Sequence, residues 1–156
     1  MMKQKILIFV NEFQNIINFR LSLINYLSNR GLNIEVICYS KKNIQENQIK
    51  DLLDIPVHYL SGDSKGTSLI DELKNIFRLY LLIRSISPNL ILSYTIKPNL
   101  YSSLVTRILQ INNIKTITGM GSTYIEGGMI KQLIFILFKL FNNKRVKYIF
   151  QNNQDL

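Results

Sequence analysis

Short apolar runs alternate along the chain with longer stretches in which apolar residues recur at helical spacing. The runs span residues 6–10, 34–38, 55–60, 90–94, 114–118 and 146–150. The first run is continuously apolar, which is typical of a central parallel strand that is covered on both faces. The stretches between them predict helices over residues 17–30, 41–53, 68–85, 99–110 and 129–141. Within 68–85, the residues predicted to share one apolar face are Leu69, Leu73, Ile76, Phe77, Tyr80 and Ile83.

Strands that alternate with helices in this way predict an α/β fold, a Rossmann-like doubly wound parallel sheet of about six strands. We expect a single domain over residues 1–156. Gly31 is placed to end the first helix in a left-handed conformation. Pro56 cannot donate to a central ladder, so the third strand is expected near a sheet edge. His58 on that strand is either a strand-face histidine or a catalytic one.

The strand order most common in such sheets, 3-2-1-4-5-6, reverses between the first and fourth strands, and ligands bind there beyond the carboxyl ends. This order sets Asn11, Glu12 and Phe13 opposite Thr95 and Lys97. The loop after the fifth strand, with Gly119, Gly121 and Ser122, is expected alongside. The three segments together predict a crevice for a polar ligand.

Lys97 precedes Pro98, a residue favoured at the first position of a helix. Its ammonium and the backbone amides of Asn99 and Leu100 could therefore face one anion. The alternative is a lysine that is merely solvated. Gly119 and Gly121 permit positive φ and close approach to a ligand, although a plain tight turn explains them nearly as well.

Composition narrows the possible functions. The net charge of +9 suits nucleic acid, an anionic membrane or a phosphorylated substrate. The absence of alanine beside many Ile, Asn and Lys residues indicates AT-biased codons, which discount that charge. No glycine-rich fingerprint follows the first strand, and no phosphate-binding G-x-x-x-x-G-K-[ST] pattern occurs, which argues against a dehydrogenase and a P-loop ATPase. With one His and one Cys, we expect no metal site; Cys38 is expected to be a packed thiol in a reducing compartment.

The helix over 129–141 is apolar on nearly every side and is edged by basic residues. Such a helix is normally buried, but basic residues flanking exposed Phe and Leu also suit an anionic membrane interface. Both readings stay open. Under the second, the contact residues are Lys131, Phe135, Phe138, Lys139, Lys144 and Arg145.

Three motifs in order resemble the amino-terminal domain of retaining glycosyltransferases of family GT4. They are the segments at 95–104 (TIKPNLYSSL), 117–125 (ITGMGSTYI) and 149–152 (IFQN), and Phe19-Arg20-Leu21 with Gly31 is similar to that family's first βα unit. The likeness is greatest to bacterial enzymes that extend polyprenyl-diphosphate-linked saccharides for surface polysaccharide assembly. It implies one half of a GT-B fold, with no metal or cofactor, holding the acceptor.

The resemblance implies that the cleft is lined by Asn11, Glu12, Phe13, Arg20, Thr95, Lys97, Asn99, Gly119, Gly121 and Ser122. Glu12 is the candidate for orienting an acceptor hydroxyl, and an exposed acid at a helix start is its alternative role. Two departures from the family pattern stand out: no glycine lies in 11–18, and the donor-binding domain is missing. We therefore expect a fragment, a truncated product or one subunit of a split enzyme.

The implied partners are a lipid-linked saccharide, a nucleotide-sugar held by a carboxy-terminal domain or a partner chain, and the inner face of the cytoplasmic membrane. The implied location is cytoplasmic and peripheral. A non-catalytic subunit that docks the membrane is the competing class. Nucleic-acid binding rests on charge alone and lacks a recognisable motif, so we expect none.

Overall fold

The computed structural model describes residues 4–40, 54–61, 69–118, 136, 139–141 and 143–151. Six parallel strands form one sheet in the order β3-β2-β1-β4-β5-β6. The predicted fold class and strand order are confirmed. The strands are β1 Lys5–Glu12, β2 Asn33–Ser40, β3 Val57–Ser61, β4 Leu90–Tyr94, β5 Asn112–Ile117 and β6 Val146–Phe150.

Four helices are described in full, α1 Phe13–Phe19, α2 Leu21–Asn29, α3 Leu69–Ile86 and α4 Ile96–Leu109. Residues 136 and 139–141 are also helical, whereas the predicted helix over 41–53 lies outside the described residues. The helix that was predicted over 17–30 is instead two helices, α1 and α2, which meet at Arg20. No helix in the described part of the chain is long and apolar enough to cross a membrane.

The two faces of the sheet carry separate cores. Ile6, Ile8 and Val10 pack with Phe13 and Ile16 of α1 on one face. Leu7 and Phe9 face the opposite side, where α3 and α4 contribute the buried residues Leu79, Ile83, Ile86 and Val105. Alternate residues of β1 thus serve different cores, as expected for a strand covered on both faces.

Helix α2 ends as its sequence predicts. Gly31 has φ of 80°, its amide donates to Ser28 O at 2.9 Å, and the amide of Leu32 donates to Leu27 O at 3.3 Å. These two bonds close the helix end around a left-handed residue. They deliver the chain into β2, which pairs with β1.

Helix α3 buries only part of the apolar face that its sequence predicts. Leu79 and Ile83 are fully buried, whereas Leu73 and Phe77 are 68% and 61% exposed. The expected face is therefore only half correct: its Ile83 side packs on the sheet and its Leu73 side faces solvent. The helix carries more apolar residues than one buried stripe needs.

His58 contacts a carboxylate of the neighbouring strand β2. Its Nε2 lies 2.7 Å from Glu35 Oε2, and Lys5 Nζ lies 3.0 Å from the other oxygen of the same carboxylate. Burial raises the pKa of Glu35, but the bonds from His58 and Lys5 outweigh it and the net pKa is lowered. His58 therefore has a structural partner.

Candidate functional site

The carboxyl ends of β1, β2 and β4 lie side by side. Phe9 of β1 pairs with Ser93 of β4, so the next residues of both strands, including Asn11 and Thr95, follow at the same edge. The pairing of β1 with β2 is irregular between Phe9 and Glu12, and Glu12 resumes it opposite Tyr39. The winding of the sheet reverses between β1 and β4, and the carboxyl ends at such a reversal are the ligand-binding position of these folds.

Thr95 has a backbone conformation that a β-branched residue rarely adopts. Its φ is 69° and its ψ is 167°, a region that glycine occupies almost alone. Holding a threonine there costs on the order of 1–3 kcal/mol. The strained peptide joins β4 to α4, so the strain lies directly at the edge where the strands end.

Lys97 lies inside helix α4, which begins at Ile96, and not before it. The amide of Asn99 donates to Thr95 O at 3.1 Å and is unavailable to an anion. The expected pairing of Lys97 with free amides of Asn99 and Leu100 is therefore wrong at Asn99. The cause is a helix that starts two residues earlier than Pro98 suggested.

Lys97 is instead held by a carboxylate from another helix. Its Nζ lies 2.8 Å from Glu72 Oε1, and the ammonium also lies over the rings of Tyr39 and Tyr101 at 5.2 and 5.6 Å. Both partners of the ion pair are largely buried. Lys97 and Glu72 together carry no net charge, which makes the pair better suited to hydroxyl groups than to a phosphate.

Arg20 occupies the opposite side of the same edge. The residue is 8% exposed, and its guanidinium carbon lies 3.9 Å from the centroid of the Tyr94 ring. Nη1 donates to Phe19 O at 3.2 Å. Burial lowers the pKa of Arg20, although interaction with Tyr94 opposes this. No carboxylate pairs with Arg20 in the described part of the chain.

Several buried polar atoms near these strand ends have no hydrogen-bond partner. Native proteins leave few such atoms, and each one calls for an explanation such as a ligand or an ordered water. The unpartnered atoms at this edge are Asn11 Oδ1, Arg20 Nε, Tyr39 Oη, Glu72 Oε2 and Thr95 Oγ1. Their concentration at one edge marks it as the candidate site.

Other predicted site residues have structural roles. Phe13 is buried in the core beside Ile16 and Tyr94. Asn99 is fully buried, and its Nδ2 donates to Thr116 O at 3.0 Å, which ties α4 to β5. Asn99 Oδ1, by contrast, is buried without a hydrogen-bond partner, and a role of Phe13 or Asn99 in binding stays a prediction. Glu12 is partly exposed at the start of α1 and makes no side-chain capping bond.

The remaining candidates divide between described and undescribed parts of the chain. Gly119, Gly121, Ser122, Lys131, Phe135 and Phe138 lie outside the residues whose side chains the structure describes, whereas Lys139, Lys144 and Arg145 are exposed. Cys38 is buried, and burial raises the pKa of its thiol to about 12, which fits a packed thiol. Among the described residues, no group of His, Cys, Asp and Glu could hold a metal ion.

Tyr39 and Glu72 were not predicted as site residues from the sequence. Tyr39 lies near the carboxyl end of β2, which pairs with β1, and the predicted strand order already placed that end near the site. Glu72 gave no comparable signal, because it belongs to the first turn of a helix and meets Lys97 only through the packing of α3 beside α4.

The model of the family described as glycosyl transferase 4-like matches residues 5–153. No curated protein sequence matches the chain. Among solved structures, MurG of Acinetobacter baumannii has a TM-score of 0.63 at 13% identity, covering 96% of this chain and 42% of that one. A glycosyltransferase from Rickettsia africae has a TM-score of 0.59 at 13% identity, covering 97% and 44%.

A third similar structure is the UDP-GlcNAc 2-epimerase of Methanocaldococcus jannaschii, solved with UDP-GlcNAc and UDP. Its TM-score is 0.62 at 16% identity, covering 89% of this chain and 39% of that one. Identities this low show a shared fold. The chain spans about two fifths of the length of these structures.

Proposed function

The chain belongs to the glycosyl transferase 4-like family, and from this premise we propose that it is the acceptor-binding half of a glycosyltransferase. In the complete enzyme a sugar passes from a nucleotide-sugar to a hydroxyl of a lipid-linked saccharide, in the assembly of a cell-surface polysaccharide or glycan. The nucleotide-sugar is held by a second domain or a partner chain. The half described here works at the inner face of the cytoplasmic membrane.

One observation carries the proposal within the family. A strained Thr95 and several unpartnered buried polar atoms meet where β1, β2 and β4 end. Strain at such a point persists only where the surrounding structure holds it, and it is commonly found at ligand sites. A saccharide presents many hydroxyl groups that both donate and accept, and these would satisfy carboxylate, amide and hydroxyl oxygens alike.

The roles within this site follow from charge. The Lys97–Glu72 pair offers a donor and an acceptor to neighbouring acceptor hydroxyls, beside the rings of Tyr39 and Tyr101. Glu12, at the same edge, orients the attacking hydroxyl. The chemistry, with retention at the anomeric carbon, depends on holding that hydroxyl next to the anomeric carbon and on stabilising the departing diphosphate.

A transfer assay tests the proposal. The chain is combined with candidate carboxy-terminal domains, a short polyprenyl-diphosphate-linked saccharide and a panel of nucleotide-sugars. Glu72→Gln and Lys97→Met are expected to lower the transfer rate at least tenfold. Lys74→Met is the matched control, because Lys74 forms an exposed pair with Asp71 on the same helix as Glu72. Equal rates in all variants would reject the proposed site.

A second candidate is a non-catalytic subunit that docks a separate catalytic chain to the membrane. It is favoured by the exposed apolar residues Ile136 and Leu140, which lie close in sequence to the exposed cations Lys139, Lys144 and Arg145. Flotation with anionic vesicles tests this. The double variant Lys144→Glu, Arg145→Glu should no longer float with the vesicles. This candidate is preferred if the double variant also loses sugar transfer when combined with a carboxy-terminal domain, while Glu72→Gln and Lys97→Met transfer sugar at the normal rate.

A further inference from the structure

Arg20 is a buried cation without a carboxylate partner, and the other cation of the edge, Lys97, already has one. The salt bridges that join two described residues use Lys5, His58, Lys74 and Lys97 as their cations. Removing a charge from water without pairing it costs several kcal/mol. A π-face and one carbonyl oxygen offset only part of this cost. Among the described residues, no acidic side chain neutralises the positive charge of Arg20.

The position of Arg20 directs this charge to the candidate site. Arg20 lies at the junction of α1 and α2, where it caps both helices. Its guanidinium lies over the ring of Tyr94, the last residue of β4. Burial raises the pKa of the Tyr94 hydroxyl, opposed by Arg20 and by a bond to Thr116. Tyr94 therefore stays neutral and cannot serve as the counter-ion.

We propose that Arg20 is the anion-binding residue of this site and takes the diphosphate group of a substrate. A guanidinium has a planar fork of donors that matches phosphate oxygens, and Nε is one of the donors left without a partner. The inference rests on the proposed function. It gives to Arg20 the role of binding an anion that the sequence had suggested for Lys97. The diphosphate belongs either to the nucleotide-sugar or to the lipid carrier, and both present the same charged group.

Calorimetric titration of the purified chain tests this, with inorganic pyrophosphate, UDP and geranyl diphosphate as probes. We expect pyrophosphate to bind. Arg20→Lys, which keeps the charge and loses the fork, should weaken binding at least fivefold, and Arg20→Met at least tenfold. Arg30→Met is the control, because Arg30 also lies over a tyrosine ring, at 5.2 Å from that of Tyr26, but at the other end of α2. Its affinity should equal that of the unaltered chain.

A thermal melt of the same variants separates a ligand-binding arginine from a structural one. Since an unpaired buried charge opposes folding, the ligand-free Arg20→Met chain should melt no lower than the unaltered chain. Unchanged pyrophosphate affinity in Arg20→Lys would overturn the inference, as would no binding of any probe to the unaltered chain. If Arg20→Met does not fold, Arg20→Lys alone decides.

The remaining outcomes distinguish the source of the diphosphate and the fate of the proposed function. Tighter binding of UDP than of geranyl diphosphate assigns the group to the nucleotide-sugar, and the reverse order assigns it to the lipid carrier. If the reconstituted enzyme transfers sugar at the same rate with Arg20→Lys or Arg20→Met as with the unaltered chain, this inference alone is rejected. Diphosphate binding that depends on Arg20 in a chain that supports no transfer removes the proposed function and leaves the anion site.

Discussion

Two single residues of the candidate site, Thr95 and Arg20, have features that oppose folding. Thr95 holds a backbone conformation suited to glycine, and Arg20 holds a buried charge. The sequence named both residues as lining the cleft, but it could not predict the strained backbone of Thr95 or the burial of Arg20. Thr95 stands in an ordinary strand-to-helix turn, and Arg20 stands in an ordinary amphipathic pattern. Both became visible only through φ, ψ and burial.

Replacing Thr95 by glycine should stabilise the protein while weakening ligand binding. The strain that it relieves is on the order of 1–3 kcal/mol, and the added flexibility of the unfolded glycine returns roughly 0.5–1 kcal/mol. Urea unfolding measures the difference. Gln110→Gly is the control, since Gln110 has φ of 57° and ψ of 36° in the milder left-handed helical region and should gain less. A loss of stability in Thr95→Gly would contradict the reading of strain.

Lys115 predicts a distinct dependence of stability on pH. The residue is fully buried, and burial lowers its pKa from 10.5 to about 8. Between about pH 8 and pH 10.5 the unfolded chain binds this proton and the folded chain does not, so the free energy of unfolding should rise with pH, by up to about 1.4 kcal/mol per pH unit. Lys115→Met should abolish that rise. An unchanged slope in the variant would contradict a neutral buried amine.

At the scale of elements, the sequence predicted strands better than helix faces. The apolar runs predicted β4 and β6 at their observed bounds, although Lys147, Ile149 and Phe150 of β6 are exposed. Helix α3 has apolar residues on two sides, and spacing alone does not say which side meets the sheet. The interruption between α1 and α2 at Arg20 was not predicted, because no proline or glycine lies there.

Two alanine substitutions in α3 test the observed orientation of this helix. Leu79→Ala removes a fully buried side chain and should cost about 2–5 kcal/mol in the free energy of unfolding. Leu73→Ala removes a side chain that faces solvent and should change it by no more than roughly 0.5 kcal/mol. Comparable losses in both variants would mean that a second surface covers Leu73.

At the scale of the whole molecule, the predicted strand order placed Asn11 and Thr95 at the edge where unpartnered polar atoms collect. The partner of Lys97 could not be predicted, since Glu72 is brought to it by the packing of two helices. The central claim is therefore that this edge binds substrate.

Amide NMR of the isotopically labelled chain, titrated with a short polyprenyl-diphosphate-linked saccharide, tests that claim most directly. We expect the shifted resonances to cluster at Asn11, Arg20, Tyr39 and Thr95, while those of Lys5 and His58, in the separate cluster around Glu35, stay unchanged. Saturable shifts confined to Lys5 and His58, or no shifts at any concentration of the saccharide, would contradict it.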